Sequence, residues 1–169
     1  FKQKTAYEIG VRLVGSEMCI RDRMISRLTG NELADRLEEA LPNVVEGCDT
    51  TAIWVKPNHM VQVAHFLFSD PTLDFNYLNS ITAVDFIECF EIIYHLTSLN
   101  KQHSAVVKTK LYGREEVTLP SVYNIWKGAD FQEREIWDLM GVRFEGHPNM
   151  KRIMLWEGFE GHPLRKDFL

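Results

Sequence analysis

Cysteine is scarce in this chain, and its three thiols stand apart: Cys19, Cys48 and Cys89 form no Cys-x-x-Cys pair. A self-contained four-cysteine iron–sulfur or zinc site is therefore excluded. An odd number of scattered thiols also fits a reducing compartment better than a disulfide framework. No run of about eighteen apolar residues occurs, so no stretch has the character of a membrane-spanning helix. The dinucleotide fingerprint Gly-x-Gly-x-x-Gly is missing, and so is the Gly-x-Ser-x-Gly elbow of many hydrolases. A formal net charge of −5 gives no reason to expect nucleic acid. Internal repeats, low-complexity tracts and Pro/Gly linkers are absent as well.

What remains is an ordinary folding load. The 169 residues are 45% apolar, enough for one domain with a core. Residues 1–23 do not fit the rest: they lack the sustained apolar core of a secretory signal and carry acidic residues that transit peptides avoid. They resemble a spurious translation of adapter sequence, so the native start is expected at or near Met24. Setting them aside leaves 14 basic and 21 acidic residues, a net charge of −7.

From Thr29 the pattern turns helical. Leu33, Leu37 and Leu41 recur at one-turn spacing, Thr29 and Glu32 can form a capping box, and Pro42 stops the run. Thr51–Lys56 reads as a strand, after which Pro57 opens a helix with Met60, Val63, Ala64 and Leu67 on one side. His59 and His65 on or near that helix read as solvated or packed residues rather than metal ligands. The signal from Leu73 to Tyr112 is β, with Phe86, Phe90, Ile92, Tyr94 and Leu96 alternating along one strand and Ser98–Gln102 turning a hairpin. On that strand Glu88 and Glu91 fall on opposite faces and read as solvated. Pro120–Lys127 resembles a short helix. The fold class is thus α+β: a single domain, 24–141, with a mostly antiparallel sheet flanked by helices, followed by an extended irregular tail, 142–169.

Most of the polar information lies between Glu133 and Phe168. Asp130 can cap a helix there, with Glu133 reaching back as in a capping box and Gly141 ending it. Phe131, Ile136, Leu139 and Met140 make the apolar face, Glu133, Arg134 and Asp138 lie off it, and Arg134 and Asp138 stand four residues apart. His147 and His162 each sit between Gly and Pro, on turns. With Glu145, Glu157 or Glu160 they would supply metal ligands, although the spacing matches no established zinc pattern. A hydrolase would pair His162 with Asp167, but it lacks a nucleophile. An interface uses all the polar groups: Arg134, Arg152, Arg165 and Lys166 as donors and Glu133, Glu135, Asp138 and Asp167 as acceptors. Trp137, Phe144, Trp156 and Phe168 stand beside them, as interface cores favour.

The same stretch carries a family resemblance. Glu133-Arg134-Glu135, then Asp138-Leu139-Met140, His147 and Lys151-Arg152-Ile153-Met154 resemble the signature of the C-type subunit of respiratory complex I, the proton-pumping NADH:quinone oxidoreductase. Gly161-His162-Pro163-Leu164-Arg165-Lys166-Asp167-Phe168 resembles the closing motif of that family, and weaker likeness runs upstream through Phe75–Leu78 and Ala83–Phe86. So many spaced positions are far more specific than one short motif. The chain departs from the pattern at Leu155–Phe159, where many relatives carry a proline and a Glu-Asp-Trp run, and it stops at Leu169, where relatives often continue.

The resemblance implies a subunit that binds no cofactor itself and lies in the peripheral arm against the D-type subunit that helps form the quinone site. Neighbouring subunits would carry FMN, iron–sulfur clusters and quinone, and attachment would be peripheral, on the cytoplasmic face of a bacterial plasma membrane. Glu133, Arg134, Glu135, Asp138, His147, Arg152, His162, Arg165, Lys166 and Asp167 become the expected intersubunit interface. The alternatives are the equivalent subunit of a membrane-bound energy-converting hydrogenase and, from another class, a small stand-alone metal-dependent hydrolase.

Overall fold

The computed structural model describes residues 25–168; the expected leader and the Met24 start lie outside them. The chain runs β1 (Ser26–Arg27), α1 (Gly30–Ala40), β2 (Val45–Cys48) and β3 (Ile53–Val55), then α2 (Met60–Ser69) and β4 (Tyr77–Asp85). It continues through β5 (Cys89–Ser98), β6 (His103–Tyr112), β7 (Thr118–Pro120), α3 (Ala129–Met140) and β8 (Arg143–Glu145). The α+β class holds, with a six-stranded main sheet in the order β2-β3-β6-β5-β4 and β1 added alongside β6.

The sheet is mixed. β2/β3, β4/β5 and β5/β6 are antiparallel, whereas β3 and β1 both run parallel to β6. A second, two-stranded sheet pairs β7 with β8 in parallel. Hairpins are legible in sequence because a turn joins neighbours. Parallel partners are separated by whole elements, and nothing local announces them.

The first helices form as their patterns dictate. Thr29 Oγ1 accepts from the Glu32 amide at 3.3 Å while the Glu32 carboxylate accepts from the Thr29 amide at 2.9 Å, completing the capping box of α1. Leu33 and Leu37 are buried beneath it. Pro57 begins a 3-10 turn that leads into α2, whose Met60, Val63, Ala64 and Leu67 are buried. On β5 the inward residues Phe90, Ile92, Tyr94 and Leu96 are buried in the same core cluster. His65 is exposed, and His59 contacts the Gln62 amide oxygen at 3.2 Å.

Four local expectations are corrected. Phe86 belongs to a turn between β4 and β5, because Asp85 Oδ1 accepts the Ile87 amide at 2.7 Å and Ile87 adopts φ +72°. Glu88 is exposed in that turn, but Glu91 is buried: its carboxylate accepts from the Trp54 indole at 3.0 Å and pairs with Lys108 at 3.1 Å. The helix expected over Pro120–Lys127 is instead the end of β7 at Pro120 followed by a chain of turns, since Ser121 Oγ takes the Tyr123 amide and diverts it from helical bonding. The Trp126 indole then donates to Phe75 O at 2.9 Å and pins the segment to the core. Finally, α3 starts at Ala129 behind an uncapped Gly128, so Asp130 lies inside the helix.

Candidate functional site

On α3 the expected faces hold in part: Ile136 and Met140 are buried and Leu139 packs against the core, but three residues depart. Phe131 is 63% exposed, while Glu133 and Asp138 are fully buried. A buried carboxylate needs donors, and each finds them within the chain. Glu133 accepts from Ser121 Oγ at 2.6 Å and from the Val122 amide at 2.8 Å, so it holds the turn after β7 instead of closing a capping box. Burial pushes its carboxyl up to about 7 against these two hydrogen bonds, with Asp130 adding to the rise. Tyr94, whose buried hydroxyl has no hydrogen-bond partner among the described residues, is raised by burial and by the Glu133 charge.

Asp138 is the centre of a larger arrangement. Its Oδ2 accepts three successive backbone amides, those of Ile153, Met154 and Leu155, at 2.9, 2.8 and 3.0 Å. Its Oδ1 lies 2.5 Å from the Arg152 guanidinium. Burial alone would raise this carboxyl, but the three amides and Arg152 outweigh it and hold it at about 2. Arg152 also donates to Phe159 O at 2.7 Å and Gly161 O at 3.3 Å. Arg134 donates to the carbonyls of Lys151 and Arg152, so the expected Arg134–Asp138 pair does not form. The motif is a clasp: helix side chains grip the backbone of the tail.

His162 completes it from the far side. Its Nδ1–H donates to Asp138 O at 2.9 Å, and its ring lies over Gly141. Gly141 ends α3 at φ +79°, where a Cβ would stand 2.6 Å from the His162 ring. Glycine is required there twice over, by conformation and by space.

A second clasp holds the end of the tail. Asp85, at the end of β4, receives Arg114 at 2.6 and 2.9 Å and the Lys166 amide at 2.9 Å. The Arg114 guanidinium holds its carboxyl well below the usual range despite burial. Arg114 reaches on to Asp167 at 2.8 Å, and Arg165 pairs with Asp167 at the same distance. Arg165 and Arg114, in that order, hold Asp167 low. Sequence reasoning missed Asp85 and Arg114 as site residues. The signal available was the Ala83–Phe86 likeness.

The histidines are thus occupied separately. His147 accepts the Asn149 amide on Nδ1, which places the ring proton on Nε2, 3.3 Å from Asp130 O and 3.4 Å from its carboxylate. His162 is bonded to Asp138 and Asp167 to arginines, so the pair a hydrolase would need does not form. Among the described residues no three His, Cys, Asp or Glu side chains converge on one point.

What faces outward is different. Glu133 and Asp138, expected at an interface, are taken up inside the chain, and Phe144 lies in the core. Glu135 and Lys166 are exposed. Between and beyond the two clasps Ile153, Met154, Trp156, Leu164 and Phe168 present apolar surface, with Trp156 68% exposed. The clasps bond mainly to tail backbone, and this leaves the side chains free to turn out.

A family profile for the respiratory-chain NADH dehydrogenase 30 Kd subunit matches residues 53–169. The chain belongs to this family. It is 43% identical over 120 residues to the NADH-quinone oxidoreductase C 2 subunit of Rhizobium meliloti, covering 69% of this chain and 65% of that protein, just under two thirds of its length. It is 39% identical over 143 residues to the NADH-quinone oxidoreductase C/D subunit of Sulfurihydrogenibium sp., covering 81% of this chain and 24% of that protein. A similar solved structure is a chain of the membrane-bound sulfane sulfur reductase, an archaeal respiratory membrane complex. The TM-score is 0.68 at 27% identity, over 82% of this chain and 84% of that one. The clasp residues Asp138, Arg152 and His162 all lie inside the stretch matched to the 30 Kd subunit family.

Proposed function

We propose that this chain is the C-type subunit of an NADH-quinone oxidoreductase, a non-catalytic peripheral-arm component that docks on a D-type subunit through the outward face of its clasped tail. The observation that carries this is the contrast within residues 150–168. Their backbone is fixed by Asp138, Arg152, Asp85 and Arg114, yet Met154, Trp156 and Leu164 lie exposed. Exposed aromatic and aliphatic anchors on a preorganised backbone suit binding, because ordering entropy is already spent before the partner arrives. Arg165 and Lys166 flank this surface as rim donors, with Glu135 on the neighbouring helix.

Family membership supports the assembly, and a C/D relative supports the choice of partner, since its name joins the two parts in one protein. In this reading the chain binds no cofactor, and FMN, iron–sulfur clusters and quinone belong to its partners. Attachment to the membrane is indirect, on the cytoplasmic side. No helix among the described residues is long and apolar enough to cross a bilayer.

Co-expression with a D-type subunit tests it. Trp156→Ala should leave the Tm of the free chain nearly unchanged while reducing capture of that partner at least tenfold. Capture unaffected by Trp156→Ala and Met154→Ala together would sink the tail-docking reading. A second reading, a component of a different respiratory assembly such as a hydrogenase-type complex, is favoured by the likeness to the archaeal sulfane sulfur reductase. The neighbouring reading frames separate the two: a nickel-binding large subunit would point to the hydrogenase type.

A further inference from the structure

Among the described residues β4 is an edge strand, paired with β5 on one side only. Its Ile81 N–H turns away from β5 and is met by the side-chain oxygen of Gln132 on α3. In an antiparallel ladder alternate residues turn both backbone groups to the same edge, so Ala83 presents its N–H and C=O outward beside those of Ile81. Facing this edge, α3 supplies Ile136, Leu139 and Met140, and Leu164 of the tail closes one end. The result is a groove of about 370 Å3 between an unpaired strand edge and an apolar helix wall.

Such a groove specifies its occupant. Free backbone groups at 3.4 Å-per-residue spacing are satisfied by another extended backbone, and an apolar wall takes its alternate side chains. Gln132 already does this at one position, its amide oxygen standing where the carbonyl of an added strand would lie. The rim carries Glu135, exposed and without an ion pair among the described residues.

A second copy of this chain is a poor fit. Its own β4 is flanked by its own α3 along the same edge, and its Glu135 would meet this one in an already acidic protein. A single extended segment from another chain meets neither obstacle. Leu164, which closes the groove, also lies on the tail face assigned above to docking, and its amide donates to Leu139 O at 2.9 Å.

We propose that the β4–α3 groove takes up an extended, apolar segment of the D-type partner as an added strand, with a basic residue of that segment beside Glu135. The proposal rests on the docking reading, which it deepens.

Ala83→Pro tests it. Proline removes an N–H that points outward, so the ladder to β5 keeps its bonds, while an added strand loses a donor and meets the ring. The expected result is an unchanged Tm for the free chain and at least tenfold weaker capture of the co-expressed D-type partner. The amides of Ile81 and Ala83 should also be protected from hydrogen exchange in the wild-type complex. Unchanged capture by Ala83→Pro with no added protection overturns the groove proposal. If Trp156→Ala still weakens capture in that case, the docking reading stands without it. A free chain that is dimeric and becomes monomeric in Ala83→Pro would assign the groove to a second copy and overturn the proposal. Should Ala83→Pro fail to fold, the exchange measurement on the wild-type complex decides alone.

Discussion

Asp138 and Arg152 lie 2.5 Å apart, on a helix and on the tail that follows it, and together they convert an irregular segment into a fixed one. Removing one partner of a buried pair leaves the other charge uncompensated, at a cost of about 3–5 kcal/mol. Asp138→Asn should fall near the lower end, because Arg152 keeps some contact with water and the amide oxygen can still accept a tail N–H. At roughly 2–4 °C per kcal/mol for a chain of this size, Tm should drop by roughly 6–12 °C. The pH profile adds a sharper test. A carboxyl held at about 2 against 3.8 for the free group contributes stability that is present above about 3.8 and lost as pH falls through about 2. Asp138→Asn should lose that share of the acid sensitivity and keep the share carried by Asp85 and Asp167, whose carboxyls are also held low. An unchanged Tm would mean that the clasp does not hold the tail.

The clasp was half legible. The residue types and spacing from Glu133 to Asp167 pointed to a family and to a site, and the turns at Gly141 and around the two histidines followed from Gly and Pro. Direction was legible only in part. A helical wheel assumes that apolar residues face the core, but on α3 the tail itself forms part of what the helix packs against, and it presents backbone amides that require a carboxylate. Glu133 and Asp138 therefore point inward and Phe131 outward, against the pattern at those three positions, while Ile136 and Met140 are buried as it predicts. Asp85 and Arg114 were missed for a related reason: Arg114 joins Asp85, 29 residues before it, to Asp167, 53 residues after it, and no local rule connects the three. The fold was clearer where neighbours in sequence are neighbours in space, as in the β5–β6 hairpin and the capping box of α1.

Gly141 and His162 form a coupled pair that a double-mutant cycle can measure. A non-glycine residue in the left-handed region costs about 1–2 kcal/mol, and an alanine Cβ at Gly141 would also stand 2.6 Å from the His162 ring. Gly141→Ala should therefore cost more than the conformational penalty alone. His162→Ala loses the bond to Asp138 O, worth about 1 kcal/mol, but opens the space. In the double variant the added cost of Gly141→Ala should fall back to about 1–2 kcal/mol, giving a coupling energy of at least about 0.5 kcal/mol. Additive single costs would show that the ring moves aside freely and that conformation alone demands glycine.

Glu133 predicts a second pH dependence, of opposite sign to that of Asp138. Burial raises its carboxyl from 4.5 to about 7, so the folded state binds this proton more tightly than the unfolded state does. A raised carboxyl contributes stability that is fully present below about 4.5 and is lost as pH rises through about 7. At about 1.4 kcal/mol per pKa unit the loss amounts to roughly 3 kcal/mol. Glu133→Gln keeps the shape: its amide oxygen can accept from the Val122 N–H, and its amide group can donate to Ser121 Oγ, which accepts as readily as it donates. Its urea midpoint should therefore stay level between pH 5 and 8 while that of the wild type declines, so that the variant is the more stable of the two at pH 8. Glu135→Gln, changed on the exposed side of the same helix, should follow the wild-type profile. If Glu133→Gln instead declines in parallel with the wild type, the slope arises elsewhere, and Glu133 is held ionised by the donors around it.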